Sequence, residues 1–230
     1  MVDSIPQHIA IIPDGNRRWA KSKGLQKLVG VNKAGKYSSL KRLFDEAKNL
    51  GVKYFSIWGF STENWNRSKY EINEVFKIVL NGIKDFRKDC VKEKIKFVHV
   101  GRKERLPKDL VDELKKLEGE TKDFTDFCVL ICVDYGGRDE IVRAVRKIID
   151  AGKNKIDEED FLNYLDTKEI PDLDLIIRTG GENRLSGFML YQSAYAELYF
   201  TKKYFPDFAP EDLREAIAEF SRRKRTFGGD

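Results

Sequence analysis

The sequence is poor in the residues that most often hold metals or form disulfides. Its 230 residues include only two His and three Cys, which excludes a metal site built from three or more histidines. Cys90, Cys128 and Cys132 lack the paired spacing of a zinc site or a disulfide framework. Cys128 and Cys132 stand in an apolar run, which indicates core thiols of a reducing compartment.

Long apolar runs are also missing. No run approaches the ~18 residues of a membrane-spanning helix, and the first residues show no basic segment followed by an apolar stretch, so no signal peptide is predicted. We therefore expect a cytoplasmic protein. The 15 Phe, 9 Tyr and 3 Trp can supply a sizeable core, which argues against a disordered chain.

Charge of one sign does not dominate the chain. Lys and Arg number 43 against 38 Asp and Glu, a net charge of +5, and most charges are interspersed as on solvated helix faces, so no nucleic-acid partner is predicted. The basic run Arg222-Arg223-Lys224-Arg225 is an exception. It could bind phosphate, including that of a lipid surface in a peripheral membrane contact, or be a solvated helix end whose cations favour the dipole.

Short apolar runs alternate with longer amphipathic stretches. The runs predict strands over His8–Ile12, Val52–Phe60, Ile95–Val100, Phe127–Val133, Leu173–Ile177 and Leu198–Phe200. The apolar spacing predicts helices over Lys33–Leu50, Ile72–Val91, Leu106–Leu117, Ile141–Ile149 and Pro210–Phe220. This alternation is typical of a parallel sheet covered on both faces. Without a linker or repeat, we predict one α/β domain over residues 1–230.

A first polar cluster follows the first predicted strand, at the kind of strand end where parallel sheets bind ligands. Its sequence is Pro13-Asp14-Gly15-Asn16-Arg17-Arg18-Trp19. A glycine turn with two Arg suits a phosphate, and Asp14 fits among these cations if Mg²⁺ bridges its carboxylate and a diphosphate. The alternative is a turn in which Asp14 and Asn16 cap the backbone.

Two further clusters follow later strands. Ser61-Thr62-Glu63-Asn64-Trp65-Asn66-Arg67 could form a relay for proton transfer or a helix cap. Arg178-Thr179-Gly180-Gly181-Glu182-Asn183-Arg184-Leu185-Ser186 could form a second anion site or a glycine-rich surface loop with ion pairs. Glu197 stands in an aromatic stretch and, if buried, needs an Arg or a metal as partner.

Together these clusters indicate diphosphate chemistry. They offer two anion sites and one carboxylate suited to Mg²⁺, and no nucleophilic triad is evident. The GxxxxGK[ST] loop of nucleotide triphosphate enzymes is absent. The aspartate-rich DDxxD pattern expected of trans-type prenyl synthases is absent as well.

At these residues the sequence resembles the cis-prenyltransferase family, which includes undecaprenyl diphosphate synthases. The matching stretches are HIAIIPDGNRRWA, FSTENWNRS, DYGGRDEI, DLDLIIRTGGENRLSGFMLYQSAYAELYFT and the terminal FGG. They span essentially the whole chain in order.

The resemblance implies a fold and an activity. The implied fold is a largely parallel six-stranded sheet flanked by helices, with a hydrophobic tunnel, usually in a homodimer. The implied reaction is Mg²⁺-dependent, repeated condensation of isopentenyl diphosphate onto an allylic diphosphate (farnesyl or geranylgeranyl diphosphate). Its product would be a long-chain, undecaprenyl-type polyprenyl diphosphate that serves as a glycosyl carrier lipid.

The resemblance also assigns roles to residues. Asp14 and Glu197 would bind the metal, and Asp14 and Asn64 would be catalytic, Asn64 in proton removal. Substrate binding would fall to Gly15, Asn16, Arg17, Arg18, Trp19, Lys27, Asn32, Ser61, Thr62, Glu63, Trp65, Arg67, Arg178, Arg184, Leu185 and Ser186.

The sequence departs from the family pattern at four positions. Asn32 takes the place of a His, after an apparent one-residue insertion, and Lys27 replaces an Arg, which keeps the charge and loses the fork. Asn183 replaces a His of some members. Thr226 stands where an Arg is expected to reach a partner's diphosphate.

Other interpretations of the chain stay open. It could be a non-catalytic subunit of a cis-prenyltransferase complex, although such subunits typically lose the aspartate that Asp14 matches, or a short-chain cis-prenyl synthase. In the long predicted helix, Val75, Val79, Gly82 and Ile83 could line the tunnel or simply pack in the core.

Overall fold

The computed structural model describes residues 5–224 and shows a single six-stranded sheet in that range. Its strands are β1 (His8–Ile12), β2 (Tyr54–Ser61), β3 (Ile95–Val100), β4 (Phe127–Tyr135), β5 (Leu175–Arg178) and β6 (Glu197–Phe200). All five pairings are parallel, in the order β3-β4-β2-β1-β5-β6. The predicted α/β class and six-stranded parallel sheet are therefore confirmed.

Helices cover both faces of this sheet. They are α1 (Asn16–Ser22), α2 (Lys27–Gly35), α3 (Tyr37–Asn49), α4 (Lys69–Glu93), α5 (Lys108–Thr121), α6 (Gly137–Asp150), α7 (Glu158–Leu162) and α8 (Pro210–Arg222). Single 3₁₀ turns occur at Thr62–Asn66 and Phe205–Asp207. Two apolar clusters lie on opposite faces, and every residue of β1 and β4 is buried, as expected for strands with both faces covered.

The prediction of one helix over Lys33–Leu50 is wrong. The chain forms α2 and α3 instead, with extended backbone at Lys36 (φ −66°, ψ 121°). Gly35 ends α2 against α4, where a Cβ would lie 2.5 Å from Ile78 Cγ2. The periodic apolar residues Leu40, Leu43, Phe44 and Ala47 all lie in α3, so the predicted start at Lys33 is too early and runs into a separate helix.

The ends of other elements also differ from the prediction. Helix α4 begins earlier than expected, because the Ser68 hydroxyl accepts a hydrogen bond from the Glu71 N–H at 3.2 Å and caps it. The short helices α1 and α7 were not predicted, since neither is long enough to show a periodic pattern. The described residues contain no helix long and apolar enough to cross a membrane.

Both histidines are buried in the fold, and for each the effect of burial on the pKa outweighs that of a carboxylate, Asp174 for His8 and Asp166 for His99. His8 Nδ1 donates to the Pro171 carbonyl (2.7 Å), so its Nε2 accepts from the Ser56 hydroxyl (2.8 Å). His99 Nε2 donates to the Val133 carbonyl at 3.1 Å. Burial lowers the pKa of each imidazole to about 4.

We predict that these two histidines make the fold sensitive to mild acid. Each is neutral when folded and takes up a proton below about pH 6.5 when unfolded, so its stabilising contribution is complete above that pH and is lost as the pH falls toward 4. Each contributes a slope of up to about 1.4 kcal/mol per pH unit. Urea unfolding between about pH 5 and 6.5 measures this slope.

The variants His8→Gln and His99→Gln provide the comparison. Each substitution should remove about half of the histidines' contribution to the pH dependence of the free energy of unfolding. Burial raises the pKa of Glu140, which contributes with the opposite sign. That contribution is the same in the wild type and both variants, so it cancels from the comparison. An unchanged slope in both variants would refute the assignment.

Candidate active site

The three polar clusters meet at one edge of the sheet. Strands β2, β1 and β5 are neighbours, and Ser61, Asp14 and Arg178 stand at or just beyond their carboxyl ends. Because parallel strands end at the same edge, residues far apart in sequence converge there.

Asp14 and Arg178 form the central contact of this edge. Arg178 Nη2 donates to Asp14 Oδ2 at 2.8 Å, and the Arg178 side chain is only 5% exposed. Asp14 Oδ1 accepts from the Gly15 N–H at 2.6 Å and lies 3.4 Å from Arg18 Nη2. Burial alone would raise the pKa of Asp14, but the Arg178 hydrogen bond, the Gly15 N–H and the two guanidinium charges outweigh it and hold the pKa below its usual value. Asp14 is therefore ionised at neutral pH.

The turn after β1 packs closely against Tyr204. Gly15 has φ +89°, and a Cβ there would lie 2.4 Å from Tyr204 Cδ1, so a larger residue would clash. Helix α1 follows at once, with free N–H groups in its first turn and no acidic residue there. Asn16 Nδ2 donates to the Pro13 carbonyl at 3.1 Å, while Asn16 Oδ1 is buried without a hydrogen-bond partner among the described residues. The turn thus offers donors for an anion and one unused oxygen.

Two guanidinium groups are held beside the turn by a shared carboxylate. Arg17 Nη1 lies 3.6 Å and Arg67 Nη1 3.5 Å from Glu71 Oε1. Burial lowers the pKa of Arg67, with Glu71 opposing that shift and Arg17 adding to it. Two like charges this close attract an anion between or beside them.

The loop after β2 is held by hydrogen bonds within itself and to the buried Asp134. Asn64 Oδ1 accepts from the Ser61 N–H at 3.2 Å. Trp65 Nε1 donates to Asp134 Oδ1 at 2.7 Å, and Arg105 donates to the same carboxylate and lies over the Trp65 ring. Asp134 is fully buried. Trp65 therefore points into the core, and Ser61, Glu63, Asn64 and Arg67 are left to face the cavity.

The third cluster is organised by Arg178. Its Nη1 donates to the Ser186 hydroxyl at 2.8 Å and to the Arg184 carbonyl. The Arg184 guanidinium itself is exposed and pairs with Glu182 at 2.6 Å. Arg178 Nε is buried without a partner among residues 5–224. Arg178 and Ser186 thus face the site directly, whereas Arg184 reaches it through its backbone and Leu185 packs against the core.

A cavity of about 660 Å³ extends from this polar edge into the apolar cluster. Asp14, Arg18 and Arg178 lie at its polar end. The remaining wall is largely aliphatic and aromatic, and it includes Val31, Leu40, Phe44, Val75, Val79, Gly82, Ile83 and Phe86. Val75, Val79, Gly82 and Ile83 of α4 therefore face the cavity, and Val75 and Ile83 also belong to the buried core. The cavity thus joins a charged end to an apolar interior.

Some expected site residues lie elsewhere. Lys27 and Asn32 are exposed and do not border the cavity, whereas the neighbouring Val31 does. Trp19 is buried and donates to Asp207 at 2.7 Å. Thr62 packs against Gly136. Thr226 lies outside the described residues.

Glu197 is not brought to Asp14 within one chain. It pairs in register with Leu175, three residues before Arg178, so it lies about 10 Å back along the strand. Its carboxylate accepts from Arg223 Nη1 at 2.8 Å. Among residues 5–224, no group of three or more metal-ligating side chains occurs. Asp14 is therefore the one carboxylate that pairs with Arg178 among the residues that the structure describes.

Sequence reasoning missed two supports of the site. Thr179 accepts from the Asp14 N–H and donates to the Asp14 carbonyl, both at 2.9 Å, and so fixes the turn after β1. Asp134 and Arg105 hold the loop after β2. Asp134 belongs to the DYGGRDEI stretch, but nothing local in the sequence signals a contact with Trp65.

Comparison with known proteins matches nearly the whole chain to one family. Residues 12–228 match the prenyltransferase family model described as "Putative undecaprenyl diphosphate synthase". An isoprenyl transferase of Fusobacterium nucleatum subsp. nucleatum is 46% identical over 229 residues, covering 100% of this chain and 98% of that protein. An isoprenyl transferase of Aquifex aeolicus is 42% identical over 224 residues, covering 97% and 96%.

Two solved structures share the fold closely. The lavandulyl diphosphate synthase of Lavandula x intermedia, in complex with dimethylallyl diphosphate, has a TM-score of 0.92 and 38% identity, covering 98% of this chain and 99% of that one. A "probable undecaprenyl diphosphate synthase" of Campylobacter jejuni has a TM-score of 0.83 and 30% identity, covering 98% and 100%. With the family match, the relatives and the site geometry in agreement, this chain belongs to the cis-prenyltransferase family and is a prenyltransferase of isoprenoid biosynthesis.

Proposed function

We propose that this enzyme condenses isopentenyl diphosphate repeatedly onto an allylic diphosphate, farnesyl or geranylgeranyl diphosphate, to make a long-chain, undecaprenyl-type cis-polyprenyl diphosphate for use as a glycosyl carrier lipid. The observation that carries the proposal is the cavity. One end presents the Asp14, Arg18 and Arg178 charges, and the rest is an apolar space of the kind a growing prenyl chain needs.

The charges suit the first step. Breaking the allylic C–O bond leaves positive charge on carbon and negative charge on the departing diphosphate. Arg17, Arg18 and the first N–H groups of α1 stand at the turn where that diphosphate would lie. Their role is to stabilise the leaving group, and they are already oriented before the reaction begins.

The residues present fit a Mg²⁺ ion. Mg²⁺ in such sites is held by one or two carboxylates together with substrate phosphates and waters. Asp14 is ionised, and the buried Asn16 Oδ1 is an oxygen without a partner among the described residues. We assign Asp14 to holding the ion, which would neutralise charge on the diphosphate. A metal role for Glu197 would require its delivery from the second chain of a homodimer.

The second substrate would bind at Arg178 and Ser186. The π bond of isopentenyl diphosphate attacks the allylic carbon, a C–C bond forms, diphosphate leaves, and one proton is lost from the isopentenyl unit. We place that unit against Asn64 and Ser61, which border the cavity. An amide is too weak a base to keep the proton, so Asn64 orients the group, and the released diphosphate is the acceptor.

A short-chain product is the second candidate. The lavandulyl diphosphate synthase structure, with its TM-score of 0.92, shows that this fold also hosts another prenyl diphosphate synthase. The family model and the Campylobacter jejuni structure, both described as undecaprenyl diphosphate synthases, favour the long-chain assignment. Non-catalytic subunits of such complexes typically lose this aspartate, so the presence of Asp14 argues against that role. We also propose that the enzyme is cytoplasmic.

We predict that Asp14→Asn lowers the condensation rate by about 10²–10³-fold, the usual loss when one charge-stabilising group is removed. Asn keeps an acceptor for the Gly15 N–H and leaves the fold intact, whereas Ala would leave Arg178 buried and unpaired. Incorporation of labelled isopentenyl diphosphate onto farnesyl or geranylgeranyl diphosphate, with and without Mg²⁺, measures the effect.

Asp85→Asn, an equal charge change at an exposed position of α4, is the matched control. Near-normal incorporation by folded Asp14→Asn would contradict the role given to Asp14. No incorporation by the wild type with any allylic primer would overturn the proposed function.

We predict that Val79→Phe shortens the product by at least one isoprene unit. Val79 lines the apolar part of the cavity, so a larger side chain reduces the space for hydrocarbon while the polar end is unchanged. Chromatography of the dephosphorylated products measures chain length, and thermal unfolding checks for the about 1–3 kcal/mol cost of overpacking.

Val142→Phe is the control, because Val142 is half-exposed on α6, outside the cavity. It should leave product length unchanged. The same product from the wild type and Val79→Phe would show that the growing chain does not pass this wall.

A further inference from the structure

The charges of the chain are unevenly distributed. Residues 15–44 contain nine Lys or Arg and no Asp or Glu, although the whole chain has a net charge of only +5. The other 200 residues therefore carry a net charge of −4. This acid-free segment comprises α1, the turn after it, α2 and most of α3. We call its outer part, residues 21–29, the basic ridge.

The basic ridge is exposed and its lysines are free. Residues 21–27 are all exposed. Lys21, Lys23 and Lys27 form no ion pair with any residue in the described range 5–224, unlike Lys33, which pairs with Asp207 at 3.1 Å. Lysines whose charge no carboxylate neutralises raise the local positive potential and attract anions.

Two aliphatic side chains stand among these lysines. Leu25 is 44% and Val29 is 42% exposed. Leu25 lies in the turn between α1 and α2, and Val29 lies in the first turn of α2, four residues later. Lysines around exposed Leu and Val are typical of elements that lie in a bilayer interface, whereas a site for a free polyanion has no use for the aliphatic groups.

The basic ridge lies on closely packed helices, on the side of α2 that faces away from the cavity. Gly30 lets α2 contact α1 closely, since a Cβ there would lie 2.0 Å from the Asn16 carbonyl oxygen. Val31 faces the cavity, and Val29, two residues earlier, points about 200° away around the helix. The same helix thus has one face toward the cavity and the other toward solvent.

We infer that the basic ridge docks this enzyme onto an anionic lipid bilayer, with Lys21, Lys23 and Lys27 at the headgroups and Leu25 and Val29 inserted among them. This goes beyond the proposed reaction and does not depend on it, because the surface is complete without either substrate. The C-terminal basic run is a weaker candidate, since Arg223 is already paired with Glu197 and Glu219.

Vesicle co-sedimentation of the substrate-free protein tests the inference. We expect binding to phosphatidylcholine vesicles that contain phosphatidylglycerol, and little to phosphatidylcholine alone. Binding should fall sharply between about 0.1 M and about 1 M NaCl, as the Debye length shrinks from about 10 Å to about 3 Å.

Two double variants separate charge from insertion. Lys21→Gln with Lys23→Gln should weaken partitioning about 25-fold, since each lysine near an anionic surface contributes about a factor of five. Leu25→Ser with Val29→Ser should weaken it about tenfold through lost apolar burial. The control Lys115→Gln with Lys116→Gln makes the same charge change on exposed positions of α5 and should leave binding unchanged.

Three results would overturn the inference. They are no binding to anionic vesicles by the folded wild type, equal losses in the α5 control, and unchanged binding in the Leu25 and Val29 variant. Single-stranded DNA serves as a soluble polyanion in a parallel assay, and binding to it that matches the vesicles and ignores the aliphatic variant would identify a polyanion site instead. Condensation activity is measured separately, so its failure would bear on the reaction alone.

Discussion

The ion pair between Asp14 and Arg178 is the interaction on which the site depends. Arg178 is almost completely buried, and a buried guanidinium is tolerated only when a carboxylate and further acceptors satisfy it. Asp14, Ser186 and the Arg184 carbonyl fill that need. The pair therefore ties the turn after β1 to the loop after β5, the two segments at which we propose that the diphosphates bind.

The cavity depends on a second constraint, the close approach of helices through glycine. Gly35 ends α2 against Ile78, and a Cβ on Gly82 would lie 3.4 Å from the Gly35 carbonyl oxygen. Because Gly35 has no side chain, Ile78 of α4 packs directly against it, and both residues border the cavity. The apolar stripe of α4 thus serves two purposes, since some of its residues complete the core while others border the cavity.

Charge placement connects the site with the outer surface. The acid-free segment supplies Arg17 and Arg18 to the mouth of the cavity, and its lysines to the solvent face of α1 and α2. Two glutamates that pair with the inner arginines, Glu71 and Glu182, come from distant parts of the chain, and Asp14 directly precedes the segment. One stretch of sequence can therefore present anion-binding groups in two directions.

The sequence by itself determined the fold class, the strand order along the chain and the three polar clusters, because apolar periodicity and strand-end glycine turns are local properties. It also named Asp14, Asn64, Arg178 and Ser186, which the structure gathers at one edge. Only the tertiary structure decided that α2 and α3 are separate helices, that Val31 rather than Asn32 faces the cavity, and that Glu197 lies back along β6. These outcomes follow from helix rotation, strand register and contacts such as Asp134 with Trp65, each of which joins residues that are distant in sequence and leaves no local pattern.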